Sequence, residues 1–196
     1  MPDRPGTDGP LPAGGLFLEG ISKSFGRTRA LLPLALSVPA GCVTAFLGPN
    51  GAGKTTTLKL VAGLLIPDTG RVLVDGCDMR LRPEEAKRRL AYVPDEPYLY
   101  DKMTGFEFLR FVGRLHGLTP EACEGRIGAW TRRFGVDRYG DGLTEEYSHG
   151  MKQRVVFCAA MLRDPSVLVV DEPLVGLDPA TIRLALSVLR EAADRG

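Results

Sequence analysis

The chain has 196 residues, of which 44% are hydrophobic and 25% charged, and its formal net charge is +1. That size and apolar share suit one globular domain with a sizeable core, and the small net charge excludes a global field drawing the chain to nucleic acid or to an acidic membrane surface. The longest apolar runs, such as Val155 to Leu162, are far too short to span a bilayer.

Residues 1–15 are rich in Pro and Gly and lack the apolar core of a signal peptide, so they are expected to form a disordered arm. Leu16 to Ile21 and Leu31 to Val38 read as strands joined by a turn at Gly26-Arg27-Thr28-Arg29, with Pro33 making the second an edge or bulged strand. Val43-Thr44-Ala45-Phe46-Leu47 is an apolar run of strand length, and Thr56 to Gly63 reads as a helix. Arg71 to Val74 is a short strand ended by an Asp75-Gly76 turn, Pro83 starts a basic helix, and Leu90 to Val93 is again a strand. A helical block follows. Thr104-Gly105-Phe106-Glu107 is a capping box, with Phe108, Leu109, Val112 and Leu115 on one face of its helix. Thr119-Pro120 caps a second helix closing near Gly135, and Ser148 caps a third reaching about Arg163. Val167 to Val170 is a fully apolar strand of the buried parallel kind. Asp178-Pro179 opens the last helix, with Ile182, Leu186 and Leu189 along one face. Cys42, Cys77, Cys123 and Cys158 are far apart, which favours buried or half-buried free thiols in a reducing compartment over a metal site or disulfides.

Between the run at 43–47 and the helix after it lies Gly48-Pro49-Asn50-Gly51-Ala52-Gly53-Lys54-Thr55. It fits G-x-x-x-x-G-K-[ST], a phosphate-binding loop, in the strand–loop–helix setting that the motif requires. Glycines let successive N–H groups curl around an anion, and the helix adds its positive end. Lys54 supplies a cation for the outer phosphates, and Thr55 offers a hydroxyl to Mg²⁺. Thr56 extends the set at the helix start. Much later the apolar strand delivers Asp171 and Glu172 at its C-terminal end, the edge where ligands of open α/β sheets sit. Asp171 is suited to hold Mg²⁺, and Glu172 to polarise a water that attacks the γ-phosphate. Taken alone, such an acidic pair is often only a helix cap; paired with the loop it points to nucleotide chemistry.

Tyr147-Ser148-His149-Gly150-Met151-Lys152-Gln153-Arg154 resembles the signature motif of the ABC ATPases, usually written LSGGQ, and Gly176-Leu177-Asp178 resembles their D-loop. The resemblance covers nearly everything from Leu16 to Gly196. It implies an α/β fold: a P-loop NTPase core with a RecA-like mixed sheet and an antiparallel β edge, plus an inserted helical subdomain. Residues 16–100 and 164–196 would form the core and residues 101–163 the helical signature subdomain. ATP and Mg²⁺ are the implied cofactors. In the family two such domains pair head to tail, so Ser148, His149, Gly150 and Met151 would face the ATP held by the other protomer. Phe25 stands where the family stacks an aromatic on adenine; the alternative is an ordinary edge-strand aromatic. Asp95, in Pro94-Asp95-Glu96-Pro97, stands at the family's Q-loop position in place of glutamine, and His149 replaces a glycine, either beside phosphate or as a solvated residue.

The family's final strand and switch histidine have no counterpart before Gly196. The resemblance therefore implies a C-terminally shortened ABC ATPase whose nucleotide binding survives better than its hydrolysis. The implied function is the ATP-hydrolysing subunit of an ABC transporter, most like ABC-2 exporters. Such a subunit is cytoplasmic, peripheral at the inner face of the cell membrane, and paired with itself or another ATPase subunit and with an integral membrane permease; no nucleic acid partner is expected. Asp95 to Arg110 would carry the permease contact, with the Tyr98-Leu99-Tyr100 cluster either anchoring it or packing inside the helical block. A soluble non-transport ABC ATPase and a nucleotide-binding module with little turnover are the alternatives.

Overall fold

The computed structural model describes residues 14–172 and 178–195. Strand β1 (Leu16–Phe25) and strand β2 (Thr28–Val38) form a hairpin closed by a two-residue turn, with Phe25 opposite Thr28. Between Ile21 and Lys23 of β1 the partners move from Leu34 to Leu31, so β2 carries one extra residue around Pro33. This is the bulge the proline predicts, and β2 is indeed at the sheet edge. Strand β3 (Thr69–Val74) pairs antiparallel with the other side of β1, and the two-residue strand β4 (Cys77–Asp78) closes the sheet in the order β2-β1-β3-β4. Asp75 and Gly76 join β3 to β4 with φ of 48° and 73°, the two positive values that a type I′ turn needs.

Helix α1 (Lys54–Val61) and the short helix α2 (Pro83–Arg89) cover this sheet. Leu18, Ile21, Val72 and Val74 meet Leu60 and Val61 of α1 and Ala86 of α2 in one core. Strand β5 (Leu90–Val93) and strand β6 (Val167–Val170) form a separate two-stranded parallel sheet. A second core lies in the helical block. It joins α3 (Gly105–Leu115), α4 (Pro120–Phe134), α5 (His149–Leu162) and one face of α6 (Pro179–Asp194). At its centre Phe134 and Phe157 stack with centroids 5.6 Å apart and planes 16° from parallel.

The helix starts follow their caps. Thr104 Oγ1 accepts from Glu107 N, and the Glu107 carboxylate accepts from Thr104 N, so the capping box is complete. Thr119 and Ser148 each accept from the N–H three residues on, and Gly135 ends α4 in the left-handed region.

Five expectations are corrected. Residues 42–49 form no strand: a strand exists through its ladder partners, and this segment finds none among the described residues. Val43 and Leu47 stand in solvent, 63% and 87% exposed, while Phe46 is half-buried. Strand β6 pairs in parallel as expected, but only Val169 is fully covered, because β5 is its single neighbour among the described residues. The packed face of α6 is Thr181, Ala185 and Val188, not Ile182, Leu186 and Leu189. Leu115 is exposed as the last residue of α3. Cys42 is exposed, being on the unpaired segment, whereas Cys77, Cys123 and Cys158 are buried free thiols.

Candidate functional site

The loop before α1 has the shape its glycines predict. Gly51 and Gly53 have φ of 79° and 84°, values that L side chains rarely adopt. At Gly53 a Cβ would lie 2.6 Å from the carbonyl oxygen of Ala30 and 3.2 Å from the Leu31 side chain, so β2 leaves room only for glycine. Gly53 is the N-cap of α1 and offers no side-chain acceptor. The first N–H groups of the helix are thus left without a side-chain cap, and they carry the positive end of the helix dipole. Lys54 Nζ donates to the carbonyls of Gly48 at 2.7 Å and Pro49 at 3.0 Å, which folds the ammonium over the mouth of the loop. Thr57 Oγ1 donates back to Gly53 O and stiffens the first turn. Asn50, Ala52 and Thr55 are exposed, while Thr56 is half-buried.

The two carboxylates lie elsewhere. Asp171 directly follows β6, is 4% exposed, and donates its N–H to Val93 O at 2.9 Å, which extends the β5–β6 ladder by one bond. Glu172 is exposed and has φ of 45°, a strained value for a residue with a side chain. Tyr92 on β5 aims its hydroxyl at Asp171 Oδ2, 3.4 Å away. Burial, and then the negative charge of Asp171, push the Tyr92 phenol up to about 12, so it stays a donor. Asp95 sits half-buried in the bend after β5, close enough to add to that field. Among the described residues no hydrogen bond or ion pair joins the loop at 48–56 to Asp171 or Glu172. The loop rests against the four-stranded sheet, while the carboxylates end the two-stranded one. Nor does any cluster of three His, Cys, Asp or Glu side chains form there that could hold a metal ion unaided. A divalent ion shared by Thr55 and Asp171 would need phosphate oxygens to complete its shell.

A third group is assembled by the helical block. Ser148, His149, Gly150 and Met151 line a cavity of about 360 Å³ together with Arg154 and Asp178. Ser148 caps α5, so His149 and Gly150 are its first helical residues, and His149 is a helical rather than a loop residue. Asp178 caps α6, accepting from Ala180 N and Thr181 N, and its other oxygen accepts from Arg154 at 2.5 Å. The Thr181 hydroxyl and N–H, then Arg154 and Ala180 N, hold the Asp178 carboxyl far below the ordinary carboxylate range. Gly176 and Leu177, the rest of the expected D-loop, lie outside the described residues. Phe25 ends β1 half exposed, with Lys23 Nζ 5.8 Å from its ring centroid.

Sequence reasoning missed Tyr92 and Gln153. Both bond across gaps of 79 and 59 residues, to Asp171 and Pro94, and no local pattern marks such pairs. The Tyr98-Leu99-Tyr100 cluster divides: Leu99 is core, whereas Tyr98 and Tyr100 are 76% and 45% exposed.

A glycine-lined loop opening a helix, an Asp-Glu pair ending a parallel strand, and an inserted helical block define the class of P-loop NTPases. The comparisons narrow it. The family model "ABC transporter" matches residues 31–175. The daunorubicin/doxorubicin resistance ATP-binding protein DrrA of Streptomyces peucetius is 36% identical over 185 residues, covering 94% of this chain and 56% of that protein. The ABC transporter ATP-binding protein NatA of Bacillus subtilis is 40% identical over 151 residues, covering 76% of this chain and 61% of NatA. A solved structure described as the ATP binding subunit of an ABC transporter superposes with a TM-score of 0.87 at 33% identity, over 93% of this chain and 76% of that one. CbiO1 from Clostridium perfringens, part of the ABC transporter complex cbiONQ, gives 0.76 at 28% identity, over 94% and 75%. The chain belongs to the ABC transporter ATP-binding family, whose members bind nucleotide and are generally ATPases. It spans about three fifths of the length of these curated relatives. No helix among the described residues is long and apolar enough to cross a membrane.

Proposed function

We propose that this chain binds Mg·ATP at the loop 48–56 and energises a separate membrane permease for export, a reading supported by its similarity to the drug-resistance protein DrrA. One observation carries the nucleotide reading: an uncapped start of α1, preceded by Gly53 in a place where only glycine fits, with the Lys54 ammonium over the loop. That is a cradle for a polyphosphate, and its N–H groups lose water at little cost because they are already aimed.

In this reading the N–H groups of Gly51, Ala52, Gly53, Lys54, Thr55 and Thr56 surround the β-phosphate, flanked by Gly48, Pro49 and Asn50. Lys54 leaves its loop carbonyls for the outer phosphate oxygens. Phe25 stacks on the base. Thr55 and Asp171 would hold Mg²⁺, which would supply charge neutralisation for the phosphates. Tyr92 holds the Asp171 carboxylate, Glu172 orients and deprotonates the attacking water, and Asp95 positions water beside them. Ser148, His149, Gly150 and Met151 present a second helix N-terminus to the nucleotide of a paired protomer, with Asp178 alongside. The chain works at the inner face of the cell membrane, and Tyr98 and Tyr100 serve as apolar anchors for the permease.

A second reading, nucleotide binding with little turnover, is favoured by segment 42–49, which among the described residues has no strand ladder tying the loop to Asp171. Two measurements separate them. Calorimetry should detect Mg·ATP uptake that Lys54→Ala weakens by about tenfold or more. Phosphate release should fall about a hundredfold in Glu172→Gln with binding retained. A wild-type chain that takes up Mg·ATP and releases no phosphate establishes the second reading. Equal affinity in the Lys54→Ala variant refutes both.

A further inference from the structure

Gln153 lies one turn beyond the start of α5 and is 1% exposed. Its Nε2 donates to the carbonyl of Pro94 at 3.1 Å. A carbonyl can only accept, so the acceptor fixes which way the amide faces. Oε1 is therefore turned into the interior, where it is buried without a hydrogen-bond partner. An amide side chain lying along a backbone commonly takes back a bond from a neighbouring N–H. Pro94 has no N–H to return. The oxygen is left as an acceptor waiting for a donor, which is costly to keep in a core.

The position of this bond matters. Pro94 directly follows β5 and directly precedes Asp95. One residue earlier, Val93 O accepts from Asp171 N at 2.9 Å. The end of β5 is thus gripped from two sides, by the strand that carries Asp171 and by α5. The next residue of α5, Arg154, pairs with Asp178 at the cap of α6. Successive helical residues point about 100° apart. One turn of α5 therefore holds the segment entering Asp95 with one side chain and the cap of α6 with the next. Both grips lie within six residues of Ser148, on a helix too short to bend much.

We infer that Gln153 is a positioning residue coupling the Pro94–Asp95 segment to the first turn of α5, and that its free Oε1 is the acceptor used when that segment shifts. The N–H groups of Asp95 and Glu96 are the nearest in sequence that a small shift could bring to it. The inference rests on the nucleotide reading only for what drives the shift.

Gln153→Met tests it, because methionine keeps the length and helix preference and removes both polar atoms; Gln153→Leu is the second variant should the first fail to fold. Hydrogen exchange is followed in peptides covering 94–101, 148–154, 167–172 and 48–57, with and without Mg·ATP, beside melting temperature and calorimetry. In the variant the melting temperature should change little, since an unpaired acceptor leaves the core while the Pro94 carbonyl loses its donor. Exchange at Asp171, whose N–H is held by Val93 O directly before Pro94, should rise about tenfold without nucleotide. Affinity for Mg·ATP should stay within about twofold, the loop being distant. The nucleotide response at 148–154 should vanish while that at 48–57 remains. Unchanged exchange at Asp171, or a general rise across the helical block with a lower melting temperature, overturns the inference. Wild-type chain that takes up no Mg·ATP sinks the nucleotide reading instead, and the nucleotide-free exchange then decides the coupling alone.

Discussion

Gly53 concentrates what a single residue contributes here. Its φ of 84° and the Ala30 carbonyl 2.6 Å from where a Cβ would be exclude every side chain. Gly51 shares the backbone requirement, with φ of 79°, but has nothing within 4 Å of its Cβ position. Gly51→Ala should therefore cost about 1 kcal/mol of stability, the left-handed penalty alone. Gly53→Ala should cost clearly more and should also abolish Mg·ATP uptake; chemical denaturation and calorimetry on the two variants check the ranking. Asp178 gives a pH signature. Its folded-state pKa is lowered, so its contribution is fully present above the unfolded value of about 4 and is lost as pH falls through the depressed folded value. The stability gap between wild type and Asp178→Ala should be constant above about pH 5 and narrow steadily in more acid solution, read from urea melts. The glycines and the Asp178-Pro179 cap were legible in the sequence because their demands are met within a few residues. Arg154 as the partner of Asp178 was not, since 24 residues separate them.

Elements show the same division. Each cap that chain-order reading picked out starts its helix, and Ser148 and Asp178 also line one cavity. Ser148→Ala removes the acceptor for Met151 N and should lower stability by about 1 kcal/mol, with thermal melting as the check. Helix α6 shows where periodicity stops being informative. Thr181, Ala185 and Val188 recur at the same spacing as Ile182, Leu186 and Leu189, so either stripe could face inward. The smaller set is the one packed, where Ala185 and Val188 join the core around α5. Segment 43–47 makes the complementary point. Its residues have the composition of a strand, but composition cannot supply a neighbour to pair with.

Across the whole molecule two cores meet at the parallel pair β5–β6. Ala91 and Val93 face the helical block, and Leu90 and Val169 face the antiparallel sheet. The aromatic stack of Phe134 on Phe157 anchors the first core, so Phe157→Ala should cost about 3–5 kcal/mol in denaturant melts by opening a cavity between α4 and α5. At this scale the primary structure already dictated the class of chemistry: a phosphate loop, two acids after an apolar strand and a capped helix are each written in one short run of residues. Folding alone chose which stripe of α6 is covered, left Val43 to Leu47 without a ladder, set Tyr92 against Asp171 and set Gln153 against Pro94. Those outcomes depend on side chains brought together from 59 and 79 residues apart. A contact of that range is selected by the total packing of both cores, and no window along the chain contains it.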